Sequence, residues 1–451
     1  MFRKLALLVV ILATIFTHNG YAADYKKSIS QYGITWEFTE TVPVGRFVTG
    51  DYYVVGSCTI ASITPGPTVS PARHGSQLDL HLSGKTYTDG KAGWDDRIPH
   101  GRYEESYRVY PPIHLHPGQT LISSISVEKP GEIENMFRPG YFNDKISTKT
   151  MAVLTCLEEE VDADAFRPGY ADPAKTLYYA RNLRRNLLPS LPKVPDTPEL
   201  HIFEDYLRRP WVETGYDEFT VAGENMPCYG REYTRIVSHA ALLLCLDFPP
   251  EEKERLHLEM VQLGIDIQGL IKAGYNGWPA VGGHGNGRKL PLLFAGLMLN
   301  DSSMLSPYSG HPDVKFSEDI QTMYGTCWTG AKVVFAGHGG KDGHPGKPDW
   351  GAYEHLHPRD WPGTTGESYR RCCTSVFWVG EATAARLLGL EAYWDHPSFF
   401  DYVERWMTED DSKFLDIVLR ETGKDFSQDW ARQKQVWSEF VEQMYAHYWL
   451  R

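Results

Sequence analysis

Tyr229-Gly230-Arg231-Glu232-Tyr233-Thr234-Arg235-Ile236-Val237-Ser238-His239 opens a stretch that runs on to Leu246, and Pro250 to Ala273 follows it. In both, apolar residues recur with the 3.6-residue period of an α-helix. The same period predicts helices at Lys175 to Leu188, Pro198 to Leu207, Lys289 to Leu299, Thr374 to Leu390, Ser398 to Thr408 and Trp430 to Trp449. Helices of this number with no strands between them suggest paired helices in a ring or solenoid, not a βαβ fold.

Working outward, the period changes at Ala163. From Ile34 to about Glu160 the signals are strands and turns. Thr35-Trp36-Glu37-Phe38-Thr39 alternates, Asp51-Tyr52-Tyr53-Val54-Val55 is rich in β formers, and Pro65-Gly66-Pro67 punctuates. Ile113 to Val127 reads as two strands around Pro117-Gly118, and Met151 to Thr155 as another. The expected architecture is mainly α: an (α/α) toroid or incomplete barrel over 163–451 carrying the chemistry, preceded by a β-rich, sandwich-like domain over 23–162. Loops 274–288 and 337–366, rich in Gly, Pro, His and Trp, would then gather at one end of the ring, where ligands bind.

Residues 1–22 read as a secretory signal peptide: Arg3 and Lys4, the apolar run Leu5 to Phe16, then Gly20-Tyr21-Ala22. That run is too short to span a bilayer, which takes about 20 apolar residues, and no Cys stands near the cleavage point. A secreted or periplasmic protein is expected. The seven cysteines (58, 156, 228, 245, 327, 372, 373) are too sparse for a disulfide scaffold, although an oxidising compartment permits one or two bridges, and read mostly as small core residues; adjacent Cys372 and Cys373 form no CxxC motif.

The 451 residues are 42% hydrophobic and 23% charged, which excludes disorder and collagen-like architecture. A net charge of -13 disfavours nucleic acid and anionic lipid as partners. An anionic substrate must therefore be caught by a local basic cluster.

Three segments concentrate polar function. In the first, beginning at Asn225, a spacing of four puts Arg231, Arg235 and His239 on one helical stripe that drifts by about 40° per step. Tyr229 and Tyr233 flank it; the alternative is that the arginines pair with carboxylates such as Glu232. The second runs from Tyr275 to Lys289. Its glycines 282, 283, 285 and 287 let backbone approach a ligand, with Trp278, His284, Asn286, Arg288 and Lys289 on or beside the loop. It is neither a Walker loop nor a dinucleotide fingerprint. The third holds Trp361, a candidate sugar platform, and Tyr369-Arg370 ahead of a helix. The histidine pairs His114/His116, His355/His357 and His338/His344 invite a metal reading but lack HExxH spacing or a Cys partner, and no metal is assigned.

Arg, Asn, His and Tyr together suit proton abstraction beside a carboxylate. In a 4-linked uronic-acid polymer, donors that hold the carboxylate ease removal of the C5 proton, His or Tyr takes it, and a Tyr protonates the departing O4. The product is an unsaturated uronide, formed without water or cofactor.

Gly45-Arg46-Phe47-Val48-Thr49-Gly50-Asp51-Tyr52-Tyr53, the loop Gly282 to Lys289, and Tyr369-Arg370-Arg371-Cys372-Cys373-Thr374-Ser375 resemble secreted bacterial proteins related to the alginate and glucuronan lyases of polysaccharide lyase family 38. The resemblance spans nearly the whole mature chain. It implies an (α/α) toroid, an acidic polysaccharide as partner, and Tyr/His elimination with Arg or Asn neutralising the carboxylate. Carried onto this sequence, it matches His239, Arg288 and one tyrosine, with Tyr229, Tyr233 and Tyr369 competing. Where other toroidal alginate lyases have Asn-Asn-His, this chain has Asn276-Gly277-Trp278. Competing readings are a glycoside hydrolase on a similar ring, using two of Glu224, Glu354, Asp360 and Glu367, and a non-catalytic carbohydrate-binding protein.

Overall fold

The computed structural model describes residues 24–80, 82, 84–85, 90–98, 101–129, 131–133, 147–213, 224–227, 229–344, 346–427 and 436–449. Residues 1–22, read above as a signal peptide, lie outside the described residues, as does Cys228.

Strands β1 (Asp24–Gln31) and β2 (Ile34–Arg46) form a hairpin turning at Tyr32-Gly33, both of positive φ, a type I′ turn whose twist matches its strands. There follow β3 (Tyr52–Val55), β4 (Cys58–Thr64), the small ribbon β5 (Thr68–Val69) and β6 (Ala72–Arg73), then β7 (Ser76–Leu78), β8 (Arg108–Val109), β9 (Ile113–Leu115), β10 (Thr120–Ser126) and β11 (Thr148–Leu157). The main sheet has nine strands in the order β8-β7-β10-β11-β3-β2-β4-β9, with β1 on β2. Only β11 with β3 is a parallel pair in it. It is nearly closed.

Alternation explains how the sheet is used. Ile34, Trp36 and Phe38 of β2 face a core with Val54, Ile60, Leu115, Leu121, Ala152 and Leu154. The opposite faces of β10 and β11, through Ile122, Met151 and Val153, belong to a second core shared with the helices. That is why Met151 to Leu157 is buried without interruption and apolar but for Thr155: both faces are covered.

The helices are α1 (Leu200–Leu207), α2 (Gly230–Leu244), α3 (Pro250–Lys272), α4 (Lys289–Leu299), the short α5 (Ser302–Leu305), α6 (Pro307–Gly310) and α7 (Ser317–Gln321), then α8 (Thr365–Tyr369), α9 (Ser375–Leu387), α10 (Glu391–Trp394), α11 (Pro397–Thr408), α12 (Asp411–Thr422) and α13 (Glu439–Tyr448). A π-helical turn, Arg370–Thr374, joins α8 to α9. A small ribbon of β12 (Thr322–Tyr324) and β13 (Val333–Phe335) sits between α7 and α8.

These findings overturn the mainly α toroid. Of the described residues 38% are helix and 20% strand, built on one large mixed sheet. Its helices are not arranged in a ring: every residue of α4 from Lys289 to Met298 and of α9 from Ser375 to Ala385 is buried, so both are enclosed on all sides. The N-terminal strands make one curled sheet, not two stacked ones. Counting helices misled because helix number says nothing about which faces are covered.

Local differences have local causes. Lys175 to Leu188 holds only two 3-10 turns, Ala180–Asn182 and Arg185–Leu187, because it is spent as a connector: Leu183 enters the main core and the Arg184 N–H donates to the Met298 carbonyl at 2.8 Å. The strands flanking Pro117-Gly118 do not pair with each other; β9 joins β4 and β10 joins β11 and β7. Among the described residues no helix is long and apolar enough to cross a membrane.

Candidate functional site

The N-terminus of α2 abuts the glycine loop so closely that a Cβ on Gly230 would overlap the carbonyls of Gly283 and His284. On the loop's other side, a Cβ on Gly283 would overlap the Cys373 carbonyl, and one on Gly282 the ring of Tyr369. Gly287 has φ +92°, open to glycine at little cost. Glycine is therefore what lets three chain segments meet.

The loop is pinned by its own polar groups. The Gly283 N–H donates to the Tyr229 hydroxyl at 3.1 Å, and the Gly287 N–H to Glu318 Oε1 at 2.5 Å. Arg288 donates to the carbonyls of His284 at 2.9 Å and Asn286 at 2.8 Å, pairs with Glu213 at 2.8 Å, and lies over the Tyr233 ring at 3.9 Å.

Around this frame a group of side chains converges. The rings of Tyr229 and His284 meet edge to face at 4.2 Å. His338 packs edge to face on Tyr369 at 4.1 Å and against Trp350 at 4.0 Å. Arg231 pairs through Nε with Glu232 at 2.9 Å, as the carboxylate alternative anticipated, and donates to the Cys372 carbonyl at 3.2 Å; its guanidinium stands 5.4 Å from the Tyr229 ring centre. His284, Tyr369, Arg231 and Trp350 are half-buried, while Tyr229 and His338 are buried. The group thus has a buried floor and a half-buried rim.

Burial, then the nearby charges of His338, Arg288 and Arg102, holds His284 well below the usual imidazole range. Burial, then Lys347, lowers His338 to about 4. Both imidazoles are neutral at pH 7, the form in which one can accept a proton.

Beside the loop, the adjacent Cys372 and Cys373 are joined by a disulfide inside the π-helical turn. It is a bridge of the kind the sequence permitted, in a pairing the sequence left open. The other described cysteines, Cys58, Cys156, Cys245 and Cys327, are free and buried.

Of the residues singled out in the sequence, the structure brings together Tyr229, Arg231, His284, Asn286, Arg288 and Tyr369. Asn286 is buried and donates to the Cys373 carbonyl at 3.4 Å, so with Arg288 it holds the loop and does not face a ligand.

The structure does not bring the remaining candidates to this group, and each is engaged elsewhere. His239 is buried between Phe203 and Phe440, with Nδ1 bonded to the Arg235 carbonyl at 2.7 Å and Nε2 to Ser438 at 3.0 Å. Eight residues beyond Arg231, it stands about 12 Å further along α2. Arg235 stacks over Trp437 at 5.5 Å. Tyr233 is 1% exposed and packs on Trp211, with no hydrogen-bond partner for its hydroxyl among the described residues. Asn225 donates to the backbone carbonyls of Tyr206 and Arg209. Trp278 is core, between Tyr275 and Phe316. Lys289 is buried on Asp319 and the Trp394 carbonyl. Arg370 pairs with Glu354 at 3.2 Å and donates to Tyr402. Trp361 packs on Tyr353 and Phe414.

The carboxylates of the hydrolase reading are mostly engaged as well. Glu354 is held by Arg370 and Arg405, Glu367 by Arg371, and Glu224 by Arg209, while Asp360 is exposed. His114 and His116 share an exposed face, as period two requires, each bonded to a β4-side hydroxyl at 3.0 Å.

Sequence reasoning missed three residues here. His338 was noticed only as half of a metal pair. Trp350 lay in a loop already marked as ligand-facing, but nothing separated it from Trp361. Arg102 comes from the N-terminal half, where no local pattern ties it to the loop. Comparison with family models, curated proteins and solved structures finds no match to this chain.

Proposed function

We propose that the protein is an exported lyase that cleaves a uronate-bearing polysaccharide, of alginate or glucuronan type, by β-elimination. One observation carries the reading: His284, Tyr229, Tyr369 and Arg231 meet at a half-buried rim where three separate segments converge, with the charge of Arg102 felt at His284. The resemblance to polysaccharide lyase family 38 supports the chemistry. The toroid it implied is not the fold, so the proposal stands on the site.

In this reading Arg231, helped by Arg102, faces the uronate carboxylate and offsets the charge that builds up as C5 is deprotonated. His284 takes the C5 proton. The electron pair forms the C4=C5 double bond, the C4–O4 bond breaks, and Tyr369 protonates O4. Trp350 provides a flat apolar wall for a sugar ring, and His338 fixes the Tyr369 ring.

The test is to incubate the purified chain with alginate, glucuronan, pectate and glycosaminoglycans and follow ultraviolet absorbance. A conjugated uronide appearing with one of them is the expected result. New reducing ends without absorbance would indicate a hydrolase. Retention on the polymer without turnover would indicate a binding protein.

A further inference from the structure

A second place in the molecule has the features of a ligand site, away from the glycine loop. Between β1–β3 and the helices α1 and α3 lies a cavity of about 430 Å³, within the size range of small-molecule sites. Arg46 from the end of β2, Arg208 just after α1 and Arg255 on α3 line it, together with Glu259, Tyr52 and Gln31. Three guanidiniums from three elements thus border one cavity in a chain whose net charge is -13.

The cations are only partly used by the protein. Arg46 lies over the Tyr52 ring at 4.0 Å and donates to its hydroxyl. Arg255 uses Nε for Glu259 Oε1 at 3.1 Å, and Arg208 stands 3.8 Å from Asp205 on its own helix; the side chains of Arg255 and Arg208 are 50% and 48% exposed. Glu259 is the reverse case. It is 6% exposed and lines the cavity, yet its Oε2 has no hydrogen-bond partner among the described residues. A buried polar atom left unmatched is costly, so this oxygen calls for a partner from whatever enters.

We propose that this cavity binds an acidic sugar of one or two rings, its carboxylate held by Arg208 and Arg255 and a ring hydroxyl bonded to Glu259. The ligand must present a negative charge to the arginines and a hydroxyl to the carboxyl group. A uronate does both with the two groups set apart on its ring, whereas inorganic phosphate carries charge and hydroxyl on one small centre and a neutral sugar offers only the hydroxyls. Burial holds the Glu259 carboxyl up at about 8, so it does not cancel the arginines at neutral pH. Tyr52, already under a guanidinium, supplies an aromatic wall. The inference does not need the elimination chemistry: a chain that binds uronate here and cleaves nothing leaves it intact.

The experiment is calorimetric titration of the full mature chain with sodium D-glucuronate, sodium D-mannuronate, D-glucose and inorganic phosphate. At least one uronate binds about tenfold or more tightly than glucose and phosphate. The double variant Arg208→Ala/Arg255→Ala weakens that binding by about tenfold or more. His284→Ala, at the glycine loop, leaves it unchanged. Because both arginines are half exposed, the double variant keeps its core, and an unchanged melting temperature verifies this. Equal binding by wild type and double variant, phosphate binding as tight as uronate, loss of binding in His284→Ala alone, or no uronate binding at all each overturns the inference.

Discussion

At the residue scale, two histidines of the same chain illustrate how surroundings divide chemistry from structure. His284 is half-buried, set edge to face on Tyr229 and held neutral at the rim of the cluster. His239 is sealed between two phenylalanines with both ring nitrogens engaged. We expect His284→Ala and Tyr369→Phe each to lower kcat on the cleaved polymer by about 10²- to 10⁴-fold with little change in melting temperature. His239→Ala should do the opposite, lowering stability by roughly 2–4 kcal/mol while the surviving folded fraction keeps its kcat. Steady-state kinetics together with urea denaturation separate the two cases; a fully active His284→Ala would remove the proposed base. The types of residue needed for the reaction were legible in the sequence, and so was the glycine loop. Which histidine faces solvent was not, because a stripe at spacing four fixes direction around a helix but not what packs against it.

At the scale of elements, the glycine loop, the start of α2 and the π-helical turn act as one unit. The π turn breaks the ordinary hydrogen-bond ladder between α8 and α9, and the Cys372 carbonyl receives Arg231 instead. Gly283 lies against the next carbonyl, that of Cys373, with no room for a methyl group. Gly283→Ala should therefore push the loop away from the turn and separate His284 from Tyr369. Its expected signature is a loss of activity of about 10²-fold or more with helical circular dichroism retained. Activity within a fewfold of wild type would show that the contact is not needed. Helix boundaries near this unit were readable to within a few residues: Lys289 to Leu299 was predicted and found, and Pro250 to Ala273 ends one residue sooner. The π turn was not, since i→i+5 bonding leaves no mark on the spacing of apolar residues.

For the whole molecule, the sheet and the helices are joined by buried charge as well as by apolar packing. Arg167 is fully buried between Asp51 of the sheet half and Asp266 of α3, at 2.8 and 2.7 Å. Arg167→Met would strand two carboxylates in the interior and cost roughly 3–5 kcal/mol by urea denaturation, part of which Asp51→Asn with Asp266→Asn should restore. A loss below about 1 kcal/mol would mean that the pair is not sealed from water.

Acid stability provides a second global test. Burial lowers His239 to about 3 and His257 and His338 to about 4, against an unfolded value of about 6.5. Below that value the unfolded chain takes up protons the folded chain refuses, so the stability these groups contribute is complete above about pH 6.5 and falls as pH falls towards 4. The loss by pH 5 is on the order of 1–2 kcal/mol per histidine. Melting temperatures at pH 7.5 and 5 should differ accordingly, and His239→Gln should flatten the slope; an unchanged slope would contradict a neutral, buried His239. By itself the sequence determined the switch from period two to 3.6, most helices and the glycine loop, because these depend on neighbours along the chain. Only the tertiary structure decided that the strands curl into one sheet sharing a core with the helices, and which polar side chains meet at the rim. Those depend on which faces are covered, a property of contacts between residues far apart in the chain.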